Sequence, residues 1–326
     1  MLSLAAENLL SPIILSFARG RFAALARSDL SVPEAAAKAL SIYLLFAIGF
    51  KGGVSVAAHG LDATLLLTLA AGFVLSASLP LVAFVLLQAM TGLSRIDAAA
   101  VAAHYGSISI VTFVAASSVL TSQGLVAEGY MVAVAAVMEA PAIVSALWLV
   151  SRGGANGATA TRMDAELWRE ILLNGSIVLL VGSFAIGAIT GENGLERISS
   201  FVVAPFQGVL CLFLLDMGLV AGRGLRQGGK VLRPGVLGFG LLMPLVSAAI
   251  GAAFGLVIGL STGGVMLLMT LSASASYIAV PAAMRVALPK ADPSVSLTLS
   301  LGVTFPFNLT IGIPLSLAVA TMLTGG

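Results

Sequence analysis

The chain has 326 residues, of which 59% are hydrophobic and 9% are charged, and its mean hydropathy is +1.09. This composition excludes an ordinary soluble domain and is typical of a polytopic α-helical membrane protein. The formal net charge is only +2 and no basic cluster with interleaved aromatic residues occurs, so no nucleic-acid partner is expected. The single cysteine, Cys211, excludes an internal disulfide and a cysteine-based metal site.

Ten apolar segments are long enough to cross a hydrocarbon core of roughly 30 Å. In chain order they cover residues 3–19, 33–50, 63–90, 96–121, 129–150, 167–190, 198–221, 236–258, 263–288 and 294–322. The first five fall in residues 1–151 and the last five in residues 165–326, with a short linker, residues 152–164, between the halves. Neither a basic stretch nor a small-residue cleavage site marks the first segment, so it is interpreted as a retained span.

The two halves resemble each other weakly at an offset of about 165 residues. Matching positions are Pro80 and Pro244, Pro141 and Pro306, and, more loosely, residues 48–53 and 217–222. Because each half has an odd number of spans, the second half enters the bilayer in the opposite direction to the first. The sequence therefore predicts an inverted repeat of five plus five transmembrane helices.

The basic residues give an independent prediction of orientation. If the N-terminus is outside, only Lys51 and Arg197 of the 16 basic residues lie on the outer side. The positive-inside rule then places the others in the cytoplasm: Arg19, Arg21, Arg27, Lys38, Arg95, Arg152, Arg162, Arg169, Arg223, Arg226, Lys230, Arg233, Arg285 and Lys290. Both termini are therefore predicted outside and the linker inside.

Polar residues interrupt one span at matching places in each half. In the fourth span, a helix is expected to stop near His104 and restart near Ser109; in the ninth, a helix is expected to stop near Ser272 and restart near Ser276. Both restarting half-helices begin near the middle of the membrane. Since a helix N-terminus carries partial positive charge and unsatisfied N–H groups, the two breaks predict a site for a small anion.

The residues of these breaks are the predicted substrate-binding residues. Their hydroxyl and backbone groups can cap the turns and donate to an oxyanion: Gly106, Ser107, Ser109, Ser274, Ser276 and Tyr277. For any serine taken alone, the alternative is that a small polar residue merely allows close helix packing. The matching clusters in both halves favour the binding site.

Two acidic residues lie deep inside predicted spans, where a charge is costly. Glu139 precedes Pro141, which frees a backbone carbonyl, and the matching segment of the second half offers the oxygens of Thr304 and Asn308. These oxygens suit Na⁺ better than a transition metal, so they are predicted cation ligands. The alternative for Glu139 is a structural ion pair or an interhelical hydrogen bond.

The other buried polar residues have structural interpretations. A structural role is favoured for Asp216, which Lys51 could neutralise, and His104, which could carry a proton, is expected instead to donate to a backbone carbonyl at the helix break. An enzyme is not predicted, because the chain has no Gly-x-Ser-x-Gly motif and no acid placed to orient His104. No P-loop occurs, so coupling to an ion gradient is expected rather than nucleotide hydrolysis.

Along essentially its whole length, the sequence resembles the sodium-dependent bicarbonate transporters of cyanobacteria and their relatives in other bacteria. The resemblance rests on Arg285 and on residues 10–12, 32–34, 48–53, 96–98, 105–109, 139–142, 272–281, 293–294 and 312–314. It matches Glu139 to an acidic residue of the family, and it matches the helix-break residues Gly106, Ser109, Thr112, Ser274 and Ser276. Thr112 thereby joins the predicted cation ligands.

The resemblance implies both termini outside, a homotrimer, and elevator-like movement of a substrate-carrying core against a gate domain. The chain departs from the cyanobacterial pattern at Tyr277, where those transporters have an acidic residue, and in its shorter linker. The leading hypothesis is a Na⁺-coupled symporter of a small anion, bicarbonate by resemblance, in a bacterial inner membrane. The alternatives are a transporter of another small carboxylate and an anion channel. No cofactor is expected other than the coupling ion.

Overall fold

A computed structural model describes residues 10–60, 62–151, 173, 175–228, 232–277 and 279–325. Within these ranges the chain is helical, with turns and short non-helical segments between the helices, and it contains no strand. The helices are α1 (Pro12–Leu25), α2 (Glu34–His59), α3 (Ala63–Met90), α4 (Arg95–Gly106), α5 (Ile110–Ser122), α6 (Met131–Val137), α7 (Pro141–Ser151), α8 (Gly175–Val202), α9 (Phe206–Gly228), α10 (Pro234–Ile258), α11 (Thr262–Ala273), α12 (Ala279–Ala287) and α13 (Pro293–Thr324). The predicted linker, residues 152–164, lies outside the described residues.

The described helices form a multi-pass membrane protein. Eight helical segments in these ranges are long and apolar enough to cross a membrane, which confirms the predicted class. They are Glu34–Ala58, Ala63–Met90, Arg95–Ser122, Met131–Val150, Val178–Val202, Phe206–Arg226, Pro234–Ile258 and Pro293–Thr324. At the positions of the first and ninth predicted spans lie α1, with 14 residues, and the pair α11 and α12. The count of ten spans stays a prediction.

Four helices, α1, α2, α8 and α9, form a first helix group. Helix α1 packs along α9, α2 packs along α8, and α2 also contacts α9. Glycines bring each pair into backbone contact: a Cβ on Gly20 would collide with the Leu215 carbonyl oxygen, and one on Gly53 would collide with that of Phe184. Small residues at such interfaces replace the hydrophobic driving force that a bilayer does not supply.

Helix α8 contains a reversal that was not predicted. Gly191 has φ 56° and ψ −154°, a conformation that favours glycine, and it divides α8 into two arms. Before it, Gly187 abuts Phe50 of α2; beyond it, the chain returns along α2 until the Tyr43 hydroxyl donates to the Phe201 carbonyl at 2.6 Å. The expected loop between the sixth and seventh spans is therefore partly helical, and α9 begins only at Phe206.

The remaining helices form a second helix group, which contains both predicted breaks. Helix α3 packs against α4 and α7, α10 packs against α11, α11 packs against the C-terminal part of α13, and α3 contacts α10. Pro80 lies inside α3 and Pro244 inside α10. In each half, the helix that contains the proline packs against the first part of the broken helix: α3 against α4, and α10 against α11.

Candidate functional site

The first break separates α4 from α5. Helix α4 ends at Gly106, which must be glycine because a Cβ there would collide with the ring of Pro80 and lie 2.9 Å from the Cβ of Ala142. Ser109 is the N-cap of α5, and its Oγ accepts hydrogen bonds from the Thr112 N–H at 3.3 Å and the Thr112 hydroxyl at 3.0 Å. A serine N-cap satisfies one of the donors that a helix start leaves open.

The second break separates α11 from α12. Helix α11 ends at Ala273, and the backbone over residues 274–277 is not helical. Ser274 terminates α11, since its hydroxyl donates to the Leu271 carbonyl at 2.8 Å, and Ser107 likewise terminates α4. The prediction that these two serines cap the restarting helices is therefore wrong. The chain between the two helices of each break is not helical. The first residue of the break therefore caps the helix before it, and only a later residue can cap the helix after it.

The two breaks contact each other through backbone and side chain. The Ser109 N–H donates to Ser274 Oγ at 2.9 Å, and the Ser276 N–H donates to the His104 carbonyl at 2.8 Å. His104 Nδ1 bonds the Ser276 carbonyl, and because a carbonyl only accepts, the ring nitrogen is the donor. The expected role of His104 and the predicted approach of the two breaks are both confirmed. All these residues are buried.

Glu139 lies against the first break. It sits between α6 and α7, is 7% exposed, and accepts a hydrogen bond from the Ser107 hydroxyl at 2.7 Å. The chain is interrupted there, and Ser76 of α3 bridges the interruption by donating to the Met138 carbonyl at 2.6 Å and accepting from the Ala142 N–H at 3.2 Å. No basic side chain of the described residues is paired with this carboxylate. A buried acid so placed needs a proton or a cation as its partner.

The other predicted cation ligands surround the breaks without contacting Glu139 through a hydrogen bond. Thr112 is bonded to Ser109. Thr304 donates to the Gly240 carbonyl at 2.8 Å and accepts from the Tyr105 hydroxyl. Its hydroxyl therefore already takes part in one hydrogen bond as a donor and in another as an acceptor. Asn308 differs, because its Nδ2 donates to the Ala273 carbonyl at 2.8 Å while its Oδ1 has no partner among the described residues.

Unpartnered polar atoms concentrate around the second break. In the described part of the chain, the buried side-chain oxygens without a hydrogen-bond partner are those of Tyr130, Ser247, Ser272, Tyr277 and Asn308. All but the first of these belong to α10, α11, the second break or α13. Sequence reasoning missed Ser247, because the first half offers no polar match for it. Burying a hydroxyl without a partner costs about 1–3 kcal/mol, so such a concentration points to a bound partner.

Tyr277 connects the second break to both helix groups. Its ring packs edge-on against Phe305 of α13, with centroids 5.3 Å apart, and Phe305 packs in the same way against Phe17 of α1 at 5.2 Å. The Tyr277 hydroxyl faces Ser109, but the two do not meet the geometric requirements of a hydrogen bond. An aromatic row therefore runs from α1 to the point where the breaks meet, and sequence analysis assigned no role to Phe17 or Phe305.

The suggested pairing of Asp216 with Lys51 does not occur. Asp216 is 5% exposed on α9. Lys51 instead lies over the ring of Phe206, with its Nζ 4.8 Å from the centroid. Because Phe206 and Asp216 are ten residues apart on one helix, they are separated by about 15 Å, which Lys51 does not bridge.

The sequence that folds into these two breaks also matches a known family. The model of the Na⁺-dependent bicarbonate transporter superfamily matches residues 12–321, a range that includes both breaks. The chain belongs to this superfamily. Membership confirms the resemblance and the transporter class, and the superfamily's name agrees with the predicted anion and coupling ion. No protein of curated function matches the sequence.

The residues present fit Na⁺ by donor chemistry. Among the described residues, no three His, Cys, Asp or Glu side chains gather into a group that could hold a metal ion. The polar atoms around the breaks are one carboxylate, several hydroxyls, an amide oxygen and backbone carbonyls. Such oxygen sets are hard ligands that suit alkali and alkaline-earth ions.

Proposed function

We propose that this protein is a Na⁺-coupled symporter of a small anion, most specifically bicarbonate, that works by alternating access. The observation that carries the proposal is the contact between the two breaks through Ser109 and Ser274. Ser109 is the N-cap of α5 and Ser274 ends α11, so the contact joins the interruptions of the two halves directly. Such a meeting of two broken helices is where a transporter built from two repeats holds its substrate.

The anion binds where the two restarting half-helices begin. Helix α5 directs its N-terminal N–H groups toward the crossing, and the Tyr277 hydroxyl faces the same point as an unpartnered donor. Gly106 permits the close approach of the helices, and Ser276 holds the second break against His104 through its N–H and carbonyl groups. Ser107 and Ser274 shape the site rather than donate to the anion, because their hydroxyls are bonded to Glu139 and to Leu271.

Na⁺ binds beside the anion, with Glu139 supplying the charge. Ser107 ties this carboxylate to the first break, and the Asn308 Oδ1 offers an acceptor beside the second. Thr112 supports the site through Ser109, and Thr304 through Tyr105. A cation and an anion held on the two sides of the same pair of breaks stabilise each other, which is the physical basis of coupling.

The architecture that we propose is ten transmembrane helices in a five-plus-five inverted repeat. The pairing of α1 with α9 mirrors the pairing of α8 with α2, and the contact of α3 with α4 mirrors that of α10 with α11. The first helix group is then the gate domain and the second the core domain, which moves as an elevator. We further propose external termini, a homotrimer, a bacterial inner-membrane location and a place outside the cyanobacterial branch.

Two other transport functions deserve testing beside this one. The Tyr277 hydroxyl is a neutral donor, and this favours another small carboxylate as a second candidate substrate. An anion channel would use the same helix N-termini. An intramembrane hydrolase is disfavoured, since the acceptor of the His104 Nδ1–H is a backbone carbonyl rather than a carboxylate, and Glu139 is bonded to Ser107 rather than to His104.

Uptake into proteoliposomes tests these functions directly. Labelled bicarbonate should accumulate against its gradient when an inward Na⁺ gradient is imposed, and K⁺ should not replace Na⁺. Competition by formate, acetate and pyruvate separates bicarbonate from other carboxylates. Flux that never exceeds equilibration would establish the channel instead.

Orientation has its own test in intact cells. Ala155 lies in the predicted linker, outside the described residues. An Ala155→Cys reporter in a Cys211→Ala background should resist a membrane-impermeant thiol reagent until the cells are opened. Labelling from outside would reverse the proposed topology.

A further inference from the structure

A cleft of about 630 Å³ separates the first helix group from the second. Its walls come from α2 and α9 on one side, and from α5, α6 and the connecting loop, residues 123–130, on the other. We call this cleft the vestibule. Polar residues in its walls include Lys51, Ser117, Thr121, Gln207 and Glu128.

The two charged residues of the vestibule are engaged differently. Lys51 is exposed, and its ammonium group contacts the face of the Phe206 ring. Glu128, the acid in the lining, accepts hydrogen bonds from the Ser261 N–H at 2.7 Å and the Ser261 hydroxyl at 3.1 Å, at the start of α11. That helix N-terminus offsets part of the Glu128 charge, so the field on the Lys51 side of the vestibule is positive.

A second feature adds to this positive field. Helix α9 begins at Phe206, beside Lys51, so its N-terminal end lies at the vestibule wall. Gln207, in the first turn of α9, donates to the Ser118 hydroxyl at 2.7 Å and so joins the two helix groups there. An ammonium group and the N-terminal end of a 23-residue helix act on the same space.

We propose that the vestibule is an entry subsite for the substrate anion, and that Lys51 collects the anion there before it reaches the breaks. The proposal rests on the proposed function and on the outer placement of this end of α2. Lys51 is a positioning residue: it concentrates the anion electrostatically and makes no contact with the breaks. Positive potential in a cleft raises the local concentration of anions and their association rate, by about tenfold where it dominates.

The first test measures the field without transport. In a Cys211→Ala background, Ser117→Cys places a thiol on the vestibule wall, and intact cells are treated with two membrane-impermeant methanethiosulfonate reagents. The measured quantity is the ratio of the two reaction rates, that of the anionic sulfonate reagent divided by that of the trimethylammonium reagent. This ratio should be higher when Lys51 is present. Lys51→Gln should lower that ratio about tenfold, and ~1 M salt should largely remove the difference because it screens the field within a few ångström.

A matched control is available on the same helix. Lys38 is also exposed, but it lies near the opposite end of α2, ~20 Å from Lys51 along the axis. Lys38→Gln removes the same charge and should leave the ratio unchanged. An equal ratio in Lys51→Gln and its parent overturns the proposal, as does an equal effect of Lys38→Gln.

The second test uses bicarbonate uptake. Lys51→Gln should raise the KM for bicarbonate about three- to tenfold at low ionic strength with little change in the maximal rate, and Lys51→Arg should restore it. A lower maximal rate with an unchanged KM would assign Lys51 to holding Phe206 instead and would overturn the proposal. If the parent protein takes up no bicarbonate, the proposed substrate fails, while the thiol ratio still decides whether the vestibule collects anions.

Discussion

The two breaks occupy matching places in the two halves, yet their polar atoms are satisfied in different ways. In the first break, Ser107 is bonded to Glu139, and Ser109 is bonded to Thr112. Around the second break, the oxygens of Ser272 and Tyr277 have no partner within the described residues. Both breaks are buried to a similar degree, so exposure to water does not explain the difference.

The two breaks are therefore alike in position and different in the partners of their polar atoms. In the first break the serine hydroxyls have partners, which fix the start of α5 beside Glu139, the only carboxylate at the crossing in the described chain. The second break keeps unused hydrogen-bonding capacity, which a ligand or water can satisfy. Substitutions in the first break should therefore lower stability or Na⁺ affinity, and substitutions near the second break should lower substrate affinity.

The largest effect is expected from Gly106→Ala. A Cβ at this position collides with Pro80 of α3, and the neighbouring Ala142 leaves no room for adjustment. Overpacking of this kind costs about 1–3 kcal/mol and should abolish uptake together with a lower melting temperature. Gly182→Ala in α8, where a Cβ meets open space, is the matched control and should behave like the parent. Normal stability of Gly106→Ala would show that the first break is not tightly packed.

Glu139→Gln is expected to have the next largest effect. The amide keeps the shape and can still accept from Ser107, but it removes the charge that we propose holds Na⁺. The Na⁺ concentration for half-maximal uptake should rise about tenfold or more, which corresponds to about 1.4 kcal/mol, with folding retained. Glu192→Gln, which neutralises an exposed acid on α8, should leave Na⁺ dependence unchanged. An unchanged Na⁺ dependence in Glu139→Gln moves the coupling site elsewhere, with Asp216 the next candidate.

Two tyrosines allow a direct comparison of the breaks. The Tyr105 hydroxyl, at the end of α4, donates to Thr304, whereas the Tyr277 hydroxyl has no partner in the described structure. Tyr105→Phe should therefore lower stability by about 1 kcal/mol. Tyr277→Phe should leave stability unchanged and raise the KM for bicarbonate about three- to tenfold, since one hydrogen bond to a charged group is lost. Thermal unfolding and uptake of both variants should show opposite patterns, and the same pattern in both would remove the distinction.

The smallest effect is expected from Ser272→Ala. Its hydroxyl is 1% exposed and unpartnered, so its removal should leave the stability of ligand-free protein unchanged or raise it by about 1 kcal/mol. If Ser272 serves the site, the stabilisation by added Na⁺ and bicarbonate should become smaller. Thermal shifts with and without both ions measure this. A loss of stability without ligand would mean that the hydroxyl has a structural partner.

Much of this arrangement could be predicted from the sequence because bilayer constraints are local and strong. Every backbone group in the hydrocarbon core must be satisfied, so polar clusters inside apolar segments can only be breaks, sites or buried contacts. That argument located both breaks within about three residues and singled out Glu139 as a buried acid. The partners of individual side chains were predicted less well: Thr304 bonds Tyr105, and Lys51 meets Phe206 instead of Asp216.

Sequence alone determined that this is a multi-pass helical membrane protein with two interrupted helices, because composition, span length and charge bias act on each segment separately. Only the tertiary structure decided how the interruptions are used. The crossing of Ser109 with Ser274, the aromatic row through Phe305, and the reversal at Gly191 depend on helices far apart in the chain. Helix packing in a membrane is set by shape and hydrogen bonding between neighbours, and neither is encoded in the periodicity of a single helix.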